Sequence, residues 1–136
     1  HLGVRRQRQM CIRDRPGAIS KGSAKFGELA AANGMDGSAP YVGESYDAAA
    51  IIALAIQAGG SADKQSILNN IAKVSNAPGI VINPGQLSYG LQMLAAGKDI
   101  DYQGATDVEF NAFGDAAGAF KELEVSGGEF VTVGAL

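Results

Sequence analysis

The chain has 136 residues, 46 % of them hydrophobic and 18 % charged, with a formal net charge of −3; that is room for one small domain with a sizeable core. The charge is uneven: Arg5, Arg6, Arg8, Arg13 and Arg15 crowd the start, whereas residues 16–136 hold six Lys, no Arg and thirteen acidic residues, a net of −7. An acidic chain without clustered Lys and Arg argues against nucleic acid as a partner, and no apolar run approaches the roughly 20 residues of a membrane span.

The stretch Val4 to Arg15 (VRRQRQMCIRDR) has the basic character of a signal-peptide start, but the apolar segment that a signal requires does not follow. It resembles translated sequencing-adapter read-through, so residues 1–15 are set aside as a non-native segment and the fold is expected in 16–136. This removes Cys11 and His1, the only Cys and His of the chain.

After a Gly/Ser/Pro loop over Pro16 to Ser23, Phe26, Leu29 and Ala30 predict a short helix over Lys25 to Asn33, stopped at Asn33-Gly34. Ser38 to Val42 reads as extended. Ser45 is the expected N-cap of a helix over Tyr46 to Ala58 with Asp47 in its first turn. Ile51, Ile52, Leu54, Ala55 and Ile56 make that helix apolar nearly all round, which predicts burial on more than one side. Gly59-Gly60 ends it, and Ser61 or Asp63 caps the next, Lys64 to Ser75, whose stripe is Ile67, Leu68, Ile71 and Val74. Turns at 77–79 and 83–85 flank a short Ile80-Val81-Ile82 strand. A helix over Gln86 to Ala96 follows, with Leu87, Leu91 and Leu94 on one face and Tyr89 on the surface side. The period then changes to two: Asp107 to Phe110 alternates, and Ser126-Gly127-Gly128 joins two strand-like runs as a hairpin. The expected class is α/β, helices first and strands after, in a chain that opens mid-fold.

Catalytic chemistry has little to stand on. Without His there is no Ser–His pair, and neither Gly-x-Ser-x-Gly nor a glycine-rich phosphate loop is present. Asp99, Asp101, Asp107 and Glu109 are the densest carboxylates. Asp99-x-Asp101-x-Gln103-Gly104 opens like a calcium loop, yet its twelfth position is Phe110 instead of a bidentate Glu. The expectation is therefore no metal, no cofactor and no enzyme, with an α/β enzyme domain built on those four acids as the rival. Asp47 is either a ligand-facing acid or a helix N-terminal acid, the second being the plainer reading. Tyr41 and Tyr46, at a strand-to-helix junction, suit either a cleft lining or packing.

Four motifs in order resemble the type I periplasmic solute-binding proteins of ABC importers, the leucine/isoleucine/valine-binding family. They are Pro40-Tyr41-Val42 leading into Tyr46-Asp47-Ala48; Ala55 to Asp63 (AIQAGGSAD); Ala96 to Ala105 (AGKDIDYQGA); and Val108 to Asp115 (VEFNAFGD), with Asn111 where the family usually has Asp. The resemblance covers about residues 24–136. It implies a two-lobed receptor with three-layer α/β/α lobes, of which this chain is the C-terminal part: first-lobe helices to about residue 98, then a hinge crossing near Asp101 to Phe110 and the closing second-lobe hairpin. A position just before the Tyr-Asp-Ala helix reaches the family's cleft; it maps to Gly43, with Glu44 and Tyr46 as neighbours. Gly43 is small where some relatives carry an aromatic residue, which enlarges the pocket. The implied partners are a small polar solute, an aliphatic amino acid or an amide, and a membrane permease; the implied location is periplasmic and the full receptor a monomer. A ligand-sensing domain of a regulator shares this fold and is the alternative.

Overall fold

The computed structural model describes residues 12–16, 21–116 and 120–135. In chain order the elements are β1 (Ile12–Pro16), α1 (Lys21–Ala32), α2 (Val42–Gly59), α3 (Lys64–Ser75), β2 (Ile80–Ile82), α4 (Leu87–Ala95), β3 (Ile100–Tyr102), β4 (Phe120–Ser126) and β5 (Glu129–Ala135). The class is mixed α/β, as expected.

The core forms around a small parallel unit. β2 and β3 pair in parallel, with Ile80 opposite Ile100 and Ile82 opposite Tyr102, and α4 makes the crossover that parallel strands require. Ile82, Ile100, Tyr102 and Val74 are fully buried together with Leu54 and Ala55 of α2, and Leu87, Leu91 and Leu94 of α4 pack against them. Gly90 lets α4 sit close, since a Cβ there would stand 3.1 Å from Leu54 and 3.4 Å from Ile82. A second, smaller cluster joins Phe26 and Ala30 of α1 to Ala105, with Val42 and Tyr46 beside them.

The helix ends follow local chemistry. Asp63 is the N-cap of α3, accepting from the amides of Gln65 and Ser66. Past α1, Met35 N–H donates to Ala30 C=O and Gly34 N–H to Ala31 C=O, the crossed pair that closes a helix behind a left-handed residue. β4 and β5 form the expected hairpin around Gly127 (φ 61) and Gly128 (φ 82), the two consecutive left-handed residues that a two-residue turn of matching twist needs.

Several expectations are corrected. Ser38 to Tyr41 is a run of turns, not extended chain. α2 starts at Val42, its N-cap is Tyr41 in the left-handed region (φ 66) without a side-chain cap bond, and Ser45 already lies in the helix. The helix-period signal begins too late there because Gly43, Glu44 and Ser45 carry no apolar stripe. α1 likewise begins at Lys21, four residues early. α2 is buried along Ala50, Ile51, Leu54 and Ala55, but Ala48, Ala49 and Ile52 are exposed, so one side is uncovered. Leu68 belongs to the predicted α3 stripe yet is 64 % exposed, because it lies off the Ile67–Ile71–Val74 line that meets the core. The alternation at Asp107 to Phe110 is real in burial, but it yields only an isolated bridge between Phe110 and Ala116. Asn76 holds that bridge in place, donating to Phe110 C=O at 2.6 Å and accepting from Phe110 N–H at 2.8 Å.

Part of the segment set aside as non-native is in the sheet. β1 lies antiparallel to β4, Ile12 opposite Glu124 and Pro16 opposite Phe120, which gives the strand order β1-β4-β5. Ladder bonds run through the backbone, so an extended segment of almost any composition can fill an edge. Residues 1–11 lie outside the described residues.

Candidate functional site

The residues that the resemblance singles out lie on the first turn of α2. Gly43 is packed: a Cβ there would stand 3.3 Å from the Ala105 Cβ and 3.8 Å from the Phe26 ring. Its small size thus admits the loop after β3 and the α1 aromatic against the helix start. Tyr46 stacks obliquely on Phe26, ring centres 5.1 Å apart, and its hydroxyl accepts from Gly85 N–H at 3.1 Å. Glu44 is half-buried beside them. The structure therefore brings Gly43 and Tyr46 together around Phe26, as parts of a helix–loop junction.

Two cavities are described, and none of these three residues lines either. One is an apolar groove of about 500 Å³ between α2 and α3, lined by Ala48, Ile51, Ile52, Leu68, Ile71, Ala72 and residues 110–114. Its size falls within the usual range for small-molecule sites, but such sites carry a few convergent polar groups. Here the Oδ1 of Asn111, the one polar side chain of the lining, already accepts from the amides of Phe113 and Asp115. The other is a polar crevice of about 120 Å³ between Lys21 and Gly22 on one side and Gln103, Gly104 and Asp107 on the other. That is space for a few waters at roughly 30 Å³ each.

The most heavily bonded group is Asp47, which fits neither of its sequence readings. It is 3 % exposed, on the sixth residue of α2, and points at the turn that follows β3. Its Oδ1 accepts from Tyr102 Oη at 2.8 Å and from Ala105 N–H at 2.9 Å; its Oδ2 accepts from Thr106 N–H at 2.8 Å and Thr106 Oγ1 at 2.6 Å. Four donors on one buried carboxylate tie α2 to β3 and its loop across more than fifty residues of sequence. Gly104 makes the approach possible. Its φ is +63°, and a Cβ would stand 2.3 Å from Asp47 Oδ1 and 2.6 Å from the Tyr102 ring.

Tyr102 feels this environment. Burial first, then the adjacent Asp47 charge and its hydrogen bond, push the phenol well above its usual range. An unfolded tyrosine loses its proton near pH 10, whereas the folded one keeps it. The contribution of Tyr102 is therefore fully present below about pH 10 and is lost as pH rises above it, at about 1.4 kcal/mol per pH unit. Urea midpoints between pH 9 and pH 11 should fall accordingly, and the fall should flatten in Tyr102→Phe. Phenolate absorbance that depends on Tyr102 should appear only together with unfolding; its appearance in the folded chain near pH 10 would contradict the arrangement.

The four clustered acids are not gathered. Asp99, Asp107 and Glu109 are exposed, while Asp101 is 4 % exposed on β3. Asp101 Oδ2 accepts from Gln103 Nε2 at 3.3 Å and its Oδ1 is buried without a partner, an arrangement that costs stability. Among the described residues no group of three His, Cys, Asp or Glu side chains is placed to hold a metal, and no helix is long and apolar enough to cross a membrane.

The Asp47 network escaped the sequence because its partners stand 55 to 59 positions away. The available signal was an acid inside a run of Ala, Ile and Leu, where a buried charge must be paired. No family model, curated protein or solved structure matches the chain.

Proposed function

We propose that the chain is the C-terminal portion of a two-lobed solute receptor of the type I periplasmic binding class, which delivers a small polar solute of the aliphatic amino-acid or amide type to a membrane importer. The observation that carries the reading is the β2–α4–β3 unit. A parallel pair joined by a helix, with α2 and α3 packed upon it, is the building unit of an open α/β lobe; it lies after the Ala55–Asp63 motif, and its last strand falls within the Ala96–Ala105 motif. Parallel sheets occur with both faces covered, and the exposed side of α2 at Ala48, Ala49 and Ile52 is where a larger lobe would continue. In this reading the turn after β3, pinned by Asp47, belongs to the segment that would cross between the lobes. In this reading the groups that grip the ligand's carboxylate and ammonium belong to segments that precede these residues in the family.

Two titrations test it. Calorimetry of this chain with leucine should show no saturable heat; micromolar affinity would overturn the reading of the chain as a portion of the receptor. The product of the whole reading frame that contains it should bind an aliphatic amino acid or an amide at micromolar concentration. A frame product that binds neither, or a frame that joins these residues to a DNA-binding domain, would replace the importer reading with the sensing one.

A further inference from the structure

Asn33 is the sole asparagine of the chain that precedes a glycine, and the pair is exposed just past the end of α1. Asparagine is a chemically labile residue, and a following glycine, lacking a Cβ, lets its backbone nitrogen come close to the asparagine side chain. In the folded chain both reacting groups are held. Gly34 N–H donates to Ala31 C=O at 3.0 Å, and Asn33 Nδ2 reaches back to donate to Leu29 C=O at 2.8 Å. Gly34 is fixed in the left-handed region (φ 72), and Met35 N–H closes the helix end on Ala30 C=O at 2.9 Å.

We propose that Asn33 is a site of spontaneous deamidation gated by the last turn of α1, so that the modification records opening of this helix end. In the step, the Gly34 backbone nitrogen attacks Asn33 Cγ. A bond forms between them, the Cγ–Nδ2 bond breaks, and ammonia leaves with the proton of the Gly34 amide. Water then adds to either carbonyl of the cyclic imide and opens it to aspartate, or to isoaspartate, in which the chain runs through Cγ. Neither product suits the closed end. The carboxylate cannot donate to Leu29 C=O, and it puts a negative charge against the negative end of the helix dipole, where α1 has no basic residue in its last turn. Asp36-Gly37, close by, has the same backbone freedom. Its side chain, however, accepts from the Ser38 hydroxyl and amide; these hold the group below the usual carboxylate range, in the charged form that resists attack by nitrogen. Opening of the α1 end breaks two hydrogen bonds before the Asn33 groups can meet. The folded chain should therefore react about thirtyfold more slowly than the unfolded one, the factor for two bonds of ordinary net strength. This inference is independent of the proposed function.

Peptide mapping by mass spectrometry tests the site on the whole chain, incubated at mildly alkaline pH with and without denaturing urea. The mass gain of amide-to-acid conversion should appear first on the peptide that holds Asn33, about thirtyfold more slowly without urea. Ala31→Gly, at an exposed position, loosens the last turn of α1 while keeping the carbonyl that Gly34 uses. It should speed the folded reaction about fivefold and leave the rate in urea unchanged, with circular dichroism showing that the variant is folded. Equal wild-type rates with and without urea overturn the proposal, and so does a folded rate that Ala31→Gly leaves unchanged. Conversion in the folded chain that begins at another asparagine overturns the assignment to Asn33.

Discussion

Asp47→Ala should be the most damaging single substitution of a polar residue in this chain, lowering stability by about 3–5 kcal/mol in urea denaturation. The alanine removes the acceptor of four hydrogen bonds at once, and two of the stranded donors, the Tyr102 hydroxyl and the Ala105 amide, are buried. A domain of this size has a total stability on the order of 5–15 kcal/mol, so the loss should leave part of the population unfolded at ambient temperature. Asp47→Asn separates charge from shape, because the amide offers one acceptor oxygen where the carboxylate offers two. It should lose about half as much, on the order of 2 kcal/mol, with the Thr106 side released first. A double-mutant cycle of Asp47→Ala with Thr106→Val should show strong coupling, since the hydroxyl at 2.6 Å bonds only to that carboxylate. Additive losses would mean that the network does not hold the loop.

Two glycines of α1 should respond to the same substitution with opposite signs. At Gly22 an added Cβ would stand 1.8 Å from the Gly104 carbonyl oxygen and 3.6 Å from the Ala105 Cα. The obstacle is backbone held by Asp47, which cannot turn aside as a flexible side chain would. Gly22→Ala should therefore push the first turn of α1 off the 104–105 loop and cost about 3 kcal/mol, at the upper end of ordinary overpacking. Gly27, on the same helix, has nothing within 4 Å of a built Cβ. Gly27→Ala should stabilise by about 0.5–1 kcal/mol through helix propensity alone. Thermal melts of the two variants beside the wild type check both signs. If Gly22→Ala were as stabilising as Gly27→Ala, α1 would not be docked on the loop.

The helix boundaries show where sequence reasoning works and where it stops. Asp63, Gly60 and the Asn33-Gly34 stop act through their own backbone and nearest neighbours, so the local sequence fixes them. The start of α2 does not work this way. Tyr41 takes a left-handed conformation (φ 66) without a side-chain cap, an arrangement upheld by the packing of Gly43, Phe26 and Ala105, in which α1 and the turn after β3 both take part. Of the residues singled out for a ligand, the sequence placed only Tyr46 in the helix; that Gly43 and Glu44 share its first turns came from the structure. That Gly43 and Tyr46 are engaged with Phe26 is a fact of tertiary contact.

Composition and period decided a good deal: an acidic α/β chain, four helices, a glycine hairpin and an absence of imidazole and thiol chemistry from residues 16–136. Each of those follows from local propensity or from the inventory of residue types. Tertiary structure alone decided that β2 and β3 run parallel, that one side of α2 stays open, and that the plain-looking acid of the Tyr-Asp-Ala stretch is a buried four-bond anchor. The physical reason is common to all three. Strand partnership, burial and the pairing of a charge depend on groups far away in sequence, and a periodic pattern records only that a face is apolar, not what meets it.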